Sequence, residues 1–244
     1  MKNYLLTFLL CFILWSNGFS QNSIQSQSIQ NDFQNYASTE SAKNYTGSFL
    51  PVFSNKENTV GSRYLYNRWV DGKVFNTEDI LVSNDSYVFN YDKIGKKLLA
   101  TQDRQKIIEV NINAIKFFTL TNEEEVMVFE KIPVISEQDF FIPLVKNENK
   151  YSLYKSIKTK FERANYTTNG IFESGKNYDS FIDVFEYYIG FSGGKEFKKI
   201  ELKKKSVREI LAKDDKKVKQ YFLKEEEGII NEHFLNGLIT FLNQ

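Results

Sequence analysis

The sequence predicts a β-dominated α+β protein, a curved antiparallel β meander packed by short C-terminal helices. Between residues 63 and 202, β-branched and aromatic segments alternate with turn formers at intervals of about 8–12 residues. Aromatic residues make up 16% of the chain, as 22 Phe and 14 Tyr against 2 Trp, a bias toward pleated surfaces where flat rings pack well. Past residue 206 the apolar spacing changes to that of one helical face.

The chain opens with Lys2, then the apolar run Leu5 to Trp15, then Gly18 and Ser20 at the −3 and −1 positions of a cleavage site. This pattern is that of a signal peptide over 1–20, so the expected mature chain begins near Gln21 outside the cytoplasm. The apolar run is too short for a permanent membrane span, and no later segment approaches the ~18 apolar residues one needs. Residues 21–45 are rich in Gln, Asn and Ser and read as a disordered leader. Phe49-Leu50-Pro51-Val52-Phe53 reads as an extended docking segment. Residues 60–135 form the predicted β meander, and 136–244 form β hairpins followed by the helices. The two parts join near Pro133 to Pro143, either as one domain or as two β subdomains.

Within the meander the expected strands are Tyr64 to Val70, Lys73 to Phe75, Asp79 to Val82, Tyr87 to Tyr91, Lys97 to Thr101, Lys106 to Val110, Ile115 to Leu120 and Val126 to Ile132. Asp71-Gly72 between apolar segments signals a hairpin or a bulge. Asp92-Lys93-Ile94-Gly95 is a turn. Phe140 to Val145 and Tyr151 to Ile157 make a further pair. Phe161 to Tyr178, polar and Gly-containing, reads as a mobile loop. Phe181 to Phe191 reverses at Ser192-Gly193-Gly194-Lys195 into Phe197 to Leu202, a hairpin. Ser206-Val207-Arg208-Glu209 spells a capping box, with Val207, Ile210, Leu211, Val218, Tyr221 and Phe222 on one helical face. Asp214 would fall on that face in a continuous helix, so a break is expected at Asp214-Asp215, with one of them capping the next helix. Gly228 ends that helix. Asn231 caps a last one, whose buried face is Phe234, Leu235, Leu238, Ile239, Phe241 and Leu242.

Composition narrows the chemistry. A formal charge of +1 gives no long-range pull toward nucleic acid or an anionic membrane. The sole cysteine, Cys11, lies in the signal's apolar run and leaves with it; Leu9-Leu10 stand where a lipobox needs a small residue. The expected mature chain therefore has no disulfide, no thiolate nucleophile and no Cys ligand. The sole histidine, His233, points away from the Phe234/Leu238/Leu242 face and is expected in solvent; one His without Cys does not make a zinc site. No loop has the oxygen-rich spacing of a calcium site. No catalytic, cofactor-binding or metal residue is assigned, and no cofactor. Only carboxylate chemistry remains: Asp79, Asp85, Asp92, Glu109 and Glu186 lie on or beside strands, and a glycosidase needs two acids about 5–9 Å apart. Solvated turn and edge acids are the ordinary reading of all five. Glu123-Glu124-Glu125 reads as an exposed turn, and Lys195 to Lys219, interleaved with acids, as a solvated face. Tyr64, Tyr66, Tyr166 and Tyr178 are candidates for stacking on sugars or peptides, or for core and rim packing.

Three segments carry a resemblance: Trp69-Val70-Asp71-Gly72-Lys73-Val74, the Glu186-Tyr187-Tyr188 strand with its Gly193-Gly194 turn, and Ile200 to Val207 at the junction into a helix. Over the last three quarters of its length the chain resembles a group of uncharacterised exported proteins of Bacteroidetes-type bacteria. That group carries no established activity, so the resemblance implies no catalytic residues. The resulting expectation is an exported, periplasmic, non-enzymatic envelope protein that binds a peptide, glycan, lipid or protein partner, with an extracellular or outer-membrane-associated location as the alternative. The alternatives are a carboxylate-dependent hydrolase and a carrier of an apolar ligand in a curved sheet.

Overall fold

Alternating apolar residues build most of the molecule into strands. The structure, a computed structural model, describes Phe33, Tyr36, 58–225 and 228–244. The expected signal peptide over 1–20 with Cys11, the 49–53 segment and all of the expected leader over 21–45 except Phe33 and Tyr36 lie outside the described residues. Thirteen strands are present among the described residues: β1 (Thr59–Val60), β2 (Asp71–Asn76), β3 (Val88–Asp92), β4 (Lys97–Thr101), β5 (Ile108–Glu109), β6 (Ile115–Asn122), β7 (Glu125–Ile132), β8 (Ser136–Val145), β9 (Ser152–Glu162), β10 (Thr167–Thr168), β11 (Glu173–Ser174), β12 (Asp179–Gly190) and β13 (Phe197–Ile200). Three helices follow: α1 (Lys204–Ile210), α2 (Asp215–Lys224) and α3 (Glu232–Asn243).

The β-dominated α+β class holds: an eight-stranded, mostly antiparallel sheet of hairpins carries the three C-terminal helices. Its order is β1-β12-β9-β8-β7-β6-β2, with β13 also on β12 and β1 the one parallel neighbour. The β7–β8 ladder crosses the Pro133 to Pro143 stretch, so the sheet is continuous there. The N-terminal half is not a simple meander. β3-β4-β5 leaves the sheet between β2 and β6 and forms a separate three-stranded sheet.

Register decides which face is buried. Val74 pairs with Phe118 and Phe118 with Phe129; Ile142 pairs with Lys155, Lys155 with Tyr187 and Tyr187 with Ile200. Glu130 opposite Phe141 puts Phe129 and Ile142 together on the other side, so all of these share one face. The β3-β4-β5 sheet covers the first half of that face, with Phe89, Tyr91 and Leu98 packed among Val74, Phe118, Leu120 and Phe129. The helices cover the second half: Val207, Leu211, Phe234, Leu235 and Leu238 pack with Leu153, Tyr187, Ile189 and Ile200. Among the described residues, no helix or second sheet packs on the opposite face, where Phe141 is nonetheless buried beside Tyr188.

Local chemistry corrects several expectations. Asp71-Gly72 is neither hairpin nor bulge; both residues lie inside β2. Glycine is required there because a Cβ would stand 2.5 Å from the Thr119 carbonyl oxygen and 2.9 Å from the Phe89 ring. Tyr64 to Val70 is not a regular strand. It runs beside β3, touching it at Tyr64–Asp92 and Val70–Phe89, and buried Asn90 holds it by donating to the Tyr66 and Arg68 carbonyls. Ser206 is no cap. α1 starts earlier, after Lys203, and the Ser206 hydroxyl accepts from the Glu201 N–H at 3.0 Å. Ile200 and Val207 both join the core, which leaves too little chain for a later helix start. The break at Asp214-Asp215 is present as a 3-10 turn, yet the Asp214 carboxylate accepts from the Tyr151 hydroxyl at 2.6 Å and makes no cap bond to α2. Asn231 does cap α3, accepting from the Phe234 N–H at 2.9 Å. The 161–178 stretch holds the small β10–β11 ladder.

Phe33 departs most from the reading of residues 21–45 as a leader apart from the domain. It is 0% exposed, its ring 4.5 Å from Tyr87 and 6.0 Å from Phe89. The Tyr36 carbonyl accepts from the Asn111 N–H, and its hydroxyl from the Asn76 amide. A large ring completing the inner core outweighs the polar composition around it.

Candidate functional site

The uncovered face takes the alternate residues of the same strands. In β6 these are Phe117 and Thr119, opposite Glu130 and Val128 of β7; in β9 they are Ser152 and Tyr154. Together they floor an open trough of about 600 Å³. Phe117 stacks on Phe75 of β2 at 4.2 Å and 12°. Tyr154 meets Phe197 of β13 edge-on at 5.9 Å. Burial, reinforced by the negative charge of Glu130, raises the Tyr154 phenol, which stays a neutral donor. Charged pairs rim the trough: Lys116 donates to Asp79 at 2.7 Å, and Lys146 bridges to Glu130.

Further along the same face lies a second polar cluster. Glu186 of β12 accepts from Lys158 and Lys199, both at 2.6 Å, and from the Tyr188 hydroxyl at 2.9 Å. Burial alone would raise this carboxyl, but the hydrogen bonds from Lys158, Lys199 and Tyr188 outweigh it and hold the group down at about 2. Tyr188 moves the other way, to about 12, through burial and then its bond to Glu186. It also packs edge-on against Phe141 at 5.5 Å.

The acids singled out in the sequence are not brought together. Asp79 is on the trough rim with Lys116. Asp92 takes a forked hydrogen bond from Arg63 and accepts from the N–H groups of Ile94 and Gly95 in the β3–β4 turn. Glu109 of β5 pairs with Lys97, and Asp85 is exposed in the loop before β3. Glu186 stands in its own lysine cluster. Among the described residues, no two of these five carboxylates are seen on the same basic side chain. His233 is exposed on α3. Among the described residues, no group of three or more His, Cys, Asp or Glu side chains is arranged to hold a metal ion. No helix among them is long and apolar enough to cross a membrane. Of the four tyrosines, Tyr166 is exposed on the long hairpin, while Tyr66 packs against the inner core.

Phe117, Val128, Glu130 and Tyr154 escaped the sequence reading. Their signal was parity: in β6 and β7 most residues alternating with the core set are themselves aromatic or branched (Phe117, Thr119, Val126, Val128), where an ordinary solvated face carries small polar residues, whereas in β9 Tyr154 stands alone among serines and lysines. A second cavity of about 370 Å³ sits between the β12–β13 turn and the helices, beside Tyr151 and Leu242. Its walls include Lys150, Glu196, Lys213, Asp214 and Lys217, so it is charged rather than apolar. No known family, curated protein or solved structure matches the chain.

Proposed function

We propose that the protein is an exported, periplasmic, non-enzymatic binding protein that holds a glycan on the open face of its long sheet. The carrying observation is the trough itself: a sheet covered on one face only, whose other face sets Phe117 and Tyr154 beside Glu130 and Lys146. Flat rings accept the C–H faces of a sugar, and the carboxylate and ammonium groups around them suit its hydroxyls. The pattern of residues 1–20 supports export.

The alternatives fit less well. A hydrolase needs a carboxylic acid that keeps its proton near neutral pH. Glu186 is held at about 2, and its two oxygens are engaged by Lys158 and Lys199. A carrier of an apolar ligand needs an apolar chamber, and the cavity beside the helices has charged walls.

Titration of the exported protein with a panel of envelope oligosaccharides, followed through its backbone amide resonances, tests the proposal. Saturable shifts are expected at Thr119, Val128 and Tyr154, weakened at least tenfold by Tyr154→Ala. Shifts confined to other surfaces, no binding by any oligosaccharide, or release of a shortened sugar would overturn it.

A further inference from the structure

The cavity between the β12–β13 turn and the helices carries charges of both signs beside an apolar wall. Tyr151, which closes the β8–β9 loop, is 8% exposed and meets the Phe191 ring edge-on at 5.7 Å. Leu242 of α3, also buried, lines the cavity with them. The volume of about 370 Å³ stands at the lower end of the ~300–1,000 Å³ of small-molecule sites.

The charged groups in the wall are not spent on one another. Lys150 donates to the Leu242 and Asn243 carbonyls at the end of α3, at 3.4 and 3.2 Å, and has no carboxylate partner among the described residues. Lys213 and Lys217, exposed on either side of the start of α2, have no partner among the described residues. Two acids share the wall with them. Glu196 is neutralised by Lys198 at 3.0 Å. Asp214 takes the Tyr151 hydroxyl on Oδ2 at 2.6 Å, and among the described residues no donor reaches its Oδ1. Burial, and then this bond, raise the Tyr151 phenol, which stays a neutral donor and cancels none of the Asp214 charge. Asp214 also leaves the first turn of α2 without a side-chain cap, so the positive end of that helix adds to the two free lysines.

This arrangement selects by charge pattern. A simple anion would meet the Asp214 carboxylate, and a simple cation would meet the lysines. A small molecule with a carboxylate and an ammonium group on one carbon satisfies both signs at once, while its third substituent is left to the apolar wall. We propose that this cavity binds a free α-amino acid with an apolar side chain: its carboxylate at Lys213 and Lys217, its ammonium group at Asp214, and its side chain against Tyr151, Phe191 and Leu242. This site does not depend on the glycan reading, because the cavity and the trough share no lining residue.

Calorimetric titration of protein purified from the exporting cell tests it, with L-phenylalanine and L-leucine as ligands. Hydrocinnamate, which lacks the ammonium group, and phenethylamine, which lacks the carboxylate, serve as the comparison. Saturable binding of at least one amino acid is expected, with both comparison compounds at least tenfold weaker. The double change K213Q/K217Q should weaken the amino acid at least tenfold and leave the thermal midpoint unchanged, since both side chains are exposed. Asp214→Asn should abolish the preference for phenylalanine over hydrocinnamate. Should that variant fail to fold, the ligand comparison on the parent protein and the lysine variant decide the matter. Binding of neither amino acid, equal or tighter binding of hydrocinnamate or phenethylamine by the parent, or undiminished binding by K213Q/K217Q would each overturn it.

Discussion

Glu186 shows how a residue's partners decide what it can do. As an isolated acid in a strand it is a candidate for proton transfer; between Lys158 and Lys199 it is a fixed negative charge. Its folded-state value lies below its unfolded one, so its stabilising effect is fully present above about pH 4.5 and is lost as pH falls toward 2. Solvent beside the two lysines screens the cluster, which leaves about 2 kcal/mol of the effect. Urea unfolding at pH 6 and pH 2.5 should show Glu186→Gln to be less stable than the parent at the higher pH and nearly equal to it at the lower. A constant gap between the two proteins would show that the carboxylate is not held by its charge. Asp214 makes a similar point. Its position as the residue before α2 was legible from the helical spacing, but its bond to Tyr151, 63 residues away, was not. The competing donor is set by how the β8–β9 loop meets the helices, and no local pattern encodes that.

Elements were legible wherever side-chain period alone determines them. β4 spans Lys97–Thr101, an apolar run that follows the Asp92-Lys93-Ile94-Gly95 turn, and α3 starts at the Asn231 cap. Elements whose bounds depend on distant contacts were not. β2 runs through Asp71-Gly72 because neighbouring β6 and the Phe89 ring crowd that backbone into a strand without a Cβ. α1 starts early because Ile200 and Val207 must reach the same core. The inner core of the β3-β4-β5 layer is the clearest case. Its last ring, Phe33, comes from a stretch of low apolar content, and only the space beside Tyr87 and Phe89 explains its place. Phe33→Ala would leave a ring-sized void among residues already locked in register, at a cost of about 3–5 kcal/mol. Denaturant unfolding should show that loss. A change below about 0.5 kcal/mol would mean that the ring is dispensable to the core.

At the scale of the molecule, one sheet face carries two separate covers, and the problem is how they are kept in place relative to each other. The apolar cores beneath them do not merge. Polar links from the β3–β4 turn span part of the gap. Lys96 bridges to Asp139 of β8, and Lys93 donates to Asp183 of β12 at 2.7 Å across 90 residues of sequence. The Lys93 side chain is 5% exposed, whereas Asp183 is 33% exposed and also accepts from the Thr159 hydroxyl. This asymmetry makes the two halves of the pair unequal. In Asp183→Asn an ammonium is left buried without its counter-charge, which costs about 3 kcal/mol. In Lys93→Met the buried stem is replaced by an apolar chain of similar length, while Asp183 keeps Thr159 and water; the expected cost is about 1 kcal/mol or less. Equilibrium unfolding of the two variants should therefore rank Asp183→Asn well below Lys93→Met. Because the turn belongs to one cover and β12 supports the other, the Asp183→Asn loss should be accompanied by faster amide exchange in both β3 and the outer part of β12. Equal losses in the two variants, or faster exchange confined to β12, would show that Lys93–Asp183 acts as a local surface bridge and that the two covers are held only by the sheet beneath them.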